Sequence, residues 1–165
     1  MQVEFLEIND RERFGQLADT AREIWFEYYA GLVPPEEIAY HLELFHSVET
    51  MMRHVTREGW RYFFCRENGR ILGYLAFKPE RERMFLSKAY LKKEARGRGR
   101  FNDMLEFTEK AARAAGLASI YLKVNPCNAP ALAIYHRKGF QIVRQMIEDI
   151  GNGFKLPAIE MEKRL

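Results

Sequence analysis

A short run of arginines and glycines is the part of this sequence best suited to chemistry. Residues 96–100 read RGRGR, and a stretch with apolar residues at helical spacing follows at once. A glycine-rich turn at the N-terminus of a helix directs several backbone N–H groups at one point, where the helix dipole adds positive potential. Gly97 and Gly99 permit positive φ or the close approach of a ligand, and the three arginines can screen phosphate charge. The pattern predicts a cradle for a pyrophosphate group.

Three other functions for this loop have weaker support. It lacks the GxxxxGK[ST] spacing of a P-loop and the GxGxxG spacing of a dinucleotide-binding turn. An arginine–glycine arm that binds nucleic acid normally lies in a disordered tail, whereas this loop lies between an apolar strand pattern and an amphipathic helix pattern. A solvated basic turn is the alternative that carries no function. We therefore expect a small anionic ligand and no nucleic-acid partner.

The chain as a whole has the composition of one globular domain spanning residues 1–165. Hydrophobic residues make up 47% of it, which is enough for a substantial core. Its 26 Lys and Arg residues nearly balance 23 Asp and Glu residues, so the net charge of +3 argues only weakly for a polyanionic partner. The sequence has neither a basic leader followed by an apolar run nor an apolar stretch of about 18 residues. These features predict a soluble, cytoplasmic protein without a membrane partner.

The spacing of apolar residues predicts the elements that hold the loop. A strand at residues 2–8 is followed by two helical stretches, the second opened by a pair of prolines. Two strand patterns then flank Asn68-Gly69, which is typical of a hairpin, and a third strand at 84–91 leads into the loop. After the helix that follows the loop come a strand, a short helix and two strands joined by a glycine turn. The predicted order is βααβββαβαββ, an α/β (α+β) fold with helices on the faces of a sheet.

Two motifs in the second half of the chain resemble those of the GNAT superfamily of N-acetyltransferases. The loop is similar to the family's Q/R-x-x-G-x-G/A motif, with Arg96 and Gly99 at its first and fourth positions. Phe101 stands where the family usually has Gly or Ala. The family's other signature, N-x-x-A-x-x-x-Y-x-x-x-G-F, is matched at Asn128, Ala131, Tyr135, Gly139 and Phe140. The resemblance implies a mixed, mostly antiparallel sheet of about seven strands and an acetyl-coenzyme A-dependent N-acetyltransferase.

The resemblance also assigns roles to individual residues. Tyr135 would be the general acid, because a phenol with a pKa of about 10 is protonated at neutral pH and can give a proton to a departing thiolate. Ser87 stands where many relatives carry a glutamate base, and its hydroxyl is too weakly basic to act without help. The alternatives are a core tyrosine at 135 and a helix cap at Asn128. The implied contacts to acetyl-coenzyme A are Ala89, Leu91, Arg96, Gly97, Arg98, Gly99, Arg100, Phe101, Asn128 and Tyr135.

The acceptor is expected to be a primary amine of a small molecule or a polyamine. Acidic side chains on the early helices could attract a cationic amine. They are Glu23, Glu27, Glu36, Glu37 and Glu43. A non-catalytic sensor that binds acetyl-coenzyme A and a peptide or protein N-acetyltransferase are the alternatives. The four histidines do not have the spacing of metal ligands, so no metal is expected, and a homodimer through the last strands is plausible.

Overall fold

The computed structural model describes residues 2–165 and contains, in that range, seven strands, five α-helices and one 3-10 helix. The strands are β1 (Glu4–Ile8), β2 (Arg61–Glu67), β3 (Arg70–Glu80), β4 (Arg83–Leu91), β5 (Ser119–Val124), β6 (Gln141–Gly151) and β7 (Phe154–Arg164). The helices are α1 (Arg11–Tyr28), α2 (Pro35–His46), α3 (Val48–Arg57), α4 (Arg100–Ala114) and α5 (Ala129–Arg137), and the 3-10 helix covers Lys93–Ala95. The strands form one sheet in the order β1-β2-β3-β4-β5-β7-β6.

The strand pairing is mostly antiparallel. β1–β2, β2–β3, β5–β7 and β6–β7 are antiparallel, whereas β4 and β5 are parallel. This confirms the predicted mixed sheet of seven strands with helices on its faces.

The predicted order contained two early helices, and the structure has three. Ser47 is the reason, because its extended backbone (φ −67°, ψ 149°) ends α2 and its side chain caps α3. The Ser47 Oγ accepts a hydrogen bond from the Thr50 N–H at 3.2 Å. A serine cap satisfies a backbone donor that the first turn of a helix leaves unpaired, so the second helical stretch divides at this residue.

Turn residues with positive φ join the paired strands. Asn68 (φ 50°) and Gly69 (φ 76°) connect β2 and β3, and Asn152 (φ 53°) and Gly153 (φ 77°) connect β6 and β7. A two-residue hairpin loop with positive φ at both positions matches the twist of the strands, which is why Asn-Gly is favoured there. Both predicted hairpins are therefore present.

The chain divides into two compact units. The first contains the residues up to Lys78 together with Lys88–Thr108. Its main core lies between α1–α3 and one face of the β-strands, where Tyr62, Phe64 and Tyr74 are almost fully buried. Phe63, the strand neighbour of Tyr62 and Phe64, instead packs against Phe107 of α4 with ring centroids 4.9 Å apart. Since successive strand residues point to opposite faces, helices cover both faces of the strands in this unit.

The second unit contains Pro79–Ser87 and Glu109–Leu165. β5, β7 and β6 form an antiparallel ladder in it, and α5 lies between β5 and β6 along the chain. The buried side chains come mainly from the middle of β5 and β7. They include Ile120, Leu122, Val124, Ala158, Ile159 and Met161.

No helix within residues 2–165 has the length and apolar character needed to cross a membrane.

Candidate active site

The arginine–glycine loop has the backbone geometry of an anion cradle. It follows the 3-10 helix, and α4 begins at Arg100, directly after Gly99. Gly97 and Gly99 have φ of 72° and 76°, a left-handed conformation that side chains other than glycine rarely adopt. A Cβ atom added at either glycine would meet nothing within 4 Å. Two glycines with positive φ, and with open space where their side chains would be, thus lie directly before the N-terminus of the 15-residue α4.

Two of the three loop arginines are committed to carboxylates within the first unit. Both terminal nitrogens of Arg96 donate to Glu27, at 3.2 and 2.7 Å. Arg100 is paired with Glu67 and, at 3.3 Å, with Asp103. The guanidinium groups of Arg96 and Arg100 thus face carboxylates of the protein itself.

Arg98 differs from the other two arginines of the loop, Arg96 and Arg100. Its side chain is exposed and forms no ion pair with any of residues 2–165. Phe101, which replaces the usual small residue of the motif, is half-buried as the second residue of α4. The helix begins ahead of Phe101, so the larger side chain does not delay it.

The central strand carries the other residues assigned to the donor. Within residues 2–165, the β4–β5 ladder covers only the pairs from Arg83↔Ser119 to Phe85↔Tyr121, although β4 continues to Leu91. Ser87 and Ala89 lie beyond this ladder and are half-buried. Ser87 belongs to the second unit, whereas Ala89 and Leu91 belong to the first.

The second motif forms α5 in the second unit. Asn128 is its N-cap, with its Oδ1 accepting a hydrogen bond from the Ala131 N–H at 3.3 Å. Tyr135 is buried, and its ring meets that of Phe140 edge to face at 5.4 Å. The Phe140 N–H also donates to the Tyr135 carbonyl oxygen at 3.0 Å. Asn128 thus acts as a cap, and Phe140 fixes the position of the helical turn that holds Tyr135.

A buried polar cluster in the first unit was not predicted. Three side chains link α1, β3 and α2: the Trp25 Nε1–H donates to the Tyr74 hydroxyl at 3.0 Å, and that hydroxyl lies 3.0 Å from the His46 Nε2. The His46 Nδ1 is buried and forms no hydrogen bond with any of residues 2–165. Burial, reinforced by the charge of Lys88, holds the pKa of His46 well below 6.5. His46 is therefore neutral at physiological pH, because its surroundings oppose protonation.

The same cluster continues around Lys88 of β4. The Lys88 Nζ lies 5.2 Å from the ring centre of Trp60 and 5.5 Å from that of Tyr62. Burial lowers the pKa of Lys88 to about 7. His54, whose Nδ1 lies 2.7 Å from the Tyr62 hydroxyl, has a pKa lowered to about 4, first by burial and then by Lys88. A lysine within the apolar run MFLSKAYL was the only sequence signal for this cluster.

In the part of the chain that the structure describes, residues 2–165, no group of three or more His, Cys, Asp or Glu side chains is placed to hold a metal ion. His136, next to Tyr135 in α5, is exposed.

Comparison with known proteins identifies the family. The model of the acetyltransferase (GNAT) family matches residues 17–140. The N-acetyltransferase PaiA of Thermoplasma acidophilum, solved in complex with coenzyme A, is similar over 100% of both chains, with a TM-score of 0.81 and 22% identity. An acetyltransferase of Thermus thermophilus is similar over 100% of this chain and 98% of its own, with a TM-score of 0.71 and 22% identity. The YncA protein of Salmonella typhimurium, solved with its cofactor acetyl-CoA, covers 100% of this chain and 94% of its own, with a TM-score of 0.66 and 18% identity.

No curated protein matches the sequence. The family model nevertheless covers well over half of the chain, including both motifs, and confirms the prediction of an N-acetyltransferase. The chain therefore belongs to the acetyltransferase (GNAT) family.

Proposed function

We propose that this protein transfers the acetyl group of acetyl-coenzyme A to a primary amine of a small molecule, polyamines included, by direct attack of the amine. The observation that carries the proposal is the loop at the N-terminus of α4. Gly97 and Gly99 hold positive φ there, with open space where a side chain would be. Backbone N–H groups converging at a helix N-terminus favour a pyrophosphate, and PaiA and YncA were solved with coenzyme A and acetyl-CoA.

The chain offers two kinds of group to hold the donor. The backbone of residues 97–101 would bind the pyrophosphate, with the exposed guanidinium of Arg98 adding charge at the rim. The backbone of Ala89 and Leu91 would pair with the amides of the pantetheine arm, since the β4–β5 ladder ends before these residues. Asn128, the N-cap of α5, is a further candidate contact to the donor.

The donor supplies an acyl group already activated as a thioester, so the task that remains for the protein is to assist two proton transfers. The acceptor amine must be neutral to attack, and the sulfur that leaves must gain a proton. Tyr135 would hold that second proton at its hydroxyl. Ser87, just beyond the β4–β5 ladder, would bind the water through which the amine proton departs.

The ion pairs of α1 weaken the argument for a polyamine as the acceptor. Glu23 pairs with Lys92 at 3.2 Å, and Glu27 pairs with Arg96. These two carboxylates are already neutralised, which weakens their attraction for a polyamine. Glu36 and Glu43 remain exposed on α2, and Glu37 is half-buried there. We therefore place polyamines inside a wider class of primary amines.

The first test is calorimetric titration of the purified protein with acetyl-coenzyme A, with pantetheine, which lacks the pyrophosphate, as the control. Saturable one-site binding of acetyl-coenzyme A and much weaker binding of pantetheine are expected. Amines would then be screened by thiol release, starting with polyamines and continuing with monoamines, amino acids and peptides.

The outcomes of the two assays separate the alternatives. Thiol release with a small amine supports the proposal, and release with peptides alone would replace it by a peptide acetyltransferase. Donor binding without acetylation of any amine would favour a sensor. Absence of donor binding would overturn the cradle assignment.

We also propose that a single domain of residues 1–165 carries this activity in the cytoplasm, as a homodimer. β6 is the edge strand of the sheet, and it exposes Ile142, Val143 and Ile147, the last to 72%. An exposed edge strand with apolar side chains favours pairing with a second copy. Light scattering should give twice the monomer mass, and Ile147→Lys should halve it. A wild-type protein that is monomeric at every concentration would refute the dimer.

A further inference from the structure

The first arginine of the phosphate loop is held by a carboxylate of α1. Besides its two bonds to Glu27, Arg96 donates from Nε to the Leu91 carbonyl oxygen at 3.0 Å. Its guanidinium carbon lies 4.9 Å from the centre of the Tyr28 ring. The side chains of Arg96 and Glu27 are only 30% and 36% exposed. Hydrogen bonds and a ring thus fix Arg96 in one orientation, and that orientation is toward α1.

A second ion pair repeats the arrangement one helical turn earlier. Glu23 and Glu27 are four residues apart on α1, and their partners Lys92 and Arg96 stand on either side of the 3-10 helix. Residues four apart on a helix share one face. One face of α1 therefore holds both ends of the segment that leads from β4 into the loop.

The carboxylate of Glu27 is at first sight a poor neighbour for a phosphate site. Its hydrogen bonds with Arg96 lower its pKa, so it is ionised at neutral pH. A negative charge beside an anion site opposes binding, and it also neutralises an arginine that would otherwise attract phosphate. Glu27 can therefore favour donor binding only by holding the loop in the right position.

We propose that Glu27 is a positioning residue for the donor: it holds Arg96 so that the glycine loop presents its backbone N–H groups to the pyrophosphate. Arg96, at the first position of the motif, then connects the loop to α1 and does not bind the phosphate. This inference rests on the proposed binding of acetyl-coenzyme A at the loop.

Glu27→Gln distinguishes a phosphate-binding Arg96 from a loop-positioning Glu27, because the two roles predict opposite changes in donor affinity. If Arg96 bound phosphate directly, removing the carboxylate would free it and tighten binding of acetyl-coenzyme A. If Glu27 positions the loop, the Kd for acetyl-coenzyme A by calorimetry should rise about three- to tenfold, the range expected for a partly exposed, bidentate pair. KM for the donor should rise in parallel, with kcat at saturating donor changed less than about twofold. Glu12→Gln, at an exposed glutamate in the first turn of the same helix, is the matched control and should leave Kd unchanged.

A charge exchange supplies the second measurement. Arg96→Glu alone should weaken donor binding, and the double variant Glu27→Arg with Arg96→Glu should recover a Kd within about threefold of the wild type. Unchanged or tighter binding in Glu27→Gln, or a double variant as weak as Arg96→Glu alone, would overturn the inference. A wild-type protein that binds no acetyl-coenzyme A would instead overturn the proposed function, so the two failures are distinguishable.

Discussion

Replacing Lys88 by methionine should stabilise the protein at neutral pH. Lys88 is 5% exposed in β4, and its Nζ lies near the rings of Trp60 and Tyr62. Burial lowers its pKa from 10.5 to about 7. Methionine keeps an unbranched side chain of similar length, packs well against aromatic rings and carries no charge.

The size of the effect follows from proton linkage. Between pH 7 and 10.5 the unfolded lysine binds a proton that the folded lysine has lost, so the free energy of unfolding rises with pH. The slope from this one group is at most about 1.4 kcal/mol per pH unit, and the full penalty below pH 7 is about 5 kcal/mol. Loss of the cation–π contacts offsets part of the gain. We expect Lys88→Met to gain about 2 to 4 kcal/mol at neutral pH.

Urea unfolding followed by tryptophan fluorescence measures both quantities. The wild type should become more stable from about pH 7 to about pH 8.5, and Lys88→Met should not. Higher pH is avoided because burial raises the pKa of Cys65 from 9.0 to about 12, which adds an opposite slope once the unfolded thiol ionises. Lys110→Met, at an exposed lysine of α4, is the matched control and should retain the wild-type slope.

The opposite pattern would refute the reasoning. If Lys88→Met is less stable than the wild type and the wild type shows no slope over this range, Lys88 is charged in the folded protein and burial does not lower its pKa.

Three further perturbations test the site and its surroundings. Gly99→Val should weaken acetyl-coenzyme A binding at least about tenfold in calorimetry, because a branched side chain at this φ strains the loop and enters the cradle. Gly116→Val, at a similar φ beyond the loop, controls for strain alone. Equal affinities of the two variants for acetyl-coenzyme A would contradict the cradle. Tyr135→Phe should lower kcat about a hundredfold in the thiol-release assay with little change in donor Kd, and an unchanged kcat would mean that another group protonates the thiolate. The free energy of unfolding should fall as the pH drops from 6.5 toward 4. Burial lowers the pKa values of His41 and His54 to about 4, so these histidines stay neutral in the folded protein while they gain protons in the unfolded chain. A free energy of unfolding that does not change over this range would show that they are charged in the folded state.

Local signals in the sequence were sufficient for most of the fold. Asp10, of a residue type that commonly caps helices, lies directly before α1, and its Oδ1 accepts a hydrogen bond from the Arg13 N–H at 2.9 Å. Asn68 and Gly69 have the positive φ that their hairpin requires. These features depend on residues close in sequence, so composition and spacing reveal them. Ser47 is also of a residue type that commonly caps helices, but this local signal alone did not show that it would divide the helical stretch in two.

Side-chain partners far apart in sequence could not be predicted. The arginines of the loop suggested a cluster open to phosphate, yet Arg96 meets a glutamate 69 residues away and Arg100 meets one 33 residues away. Glu27 gave no signal of this role, because any glutamate on a surface helix has the same local pattern. The neutral state of His46 likewise depends on burial by α1, β3 and β4, which no spacing within α2 records.

Gly73 shows how little sequence variation one position of this fold can accept. A Cβ atom there would lie 2.0 Å from the Tyr90 carbonyl oxygen and 2.9 Å from the Leu91 Cα, and both are backbone atoms of the central strand. No rotamer change relieves such an overlap, so even alanine would have to displace β4 at the residues proposed to pair with the donor. In a library with every residue substituted at every position, selection for acetylation should leave glycine alone at position 73, while the exposed residues Arg70 and Lys110 tolerate many replacements.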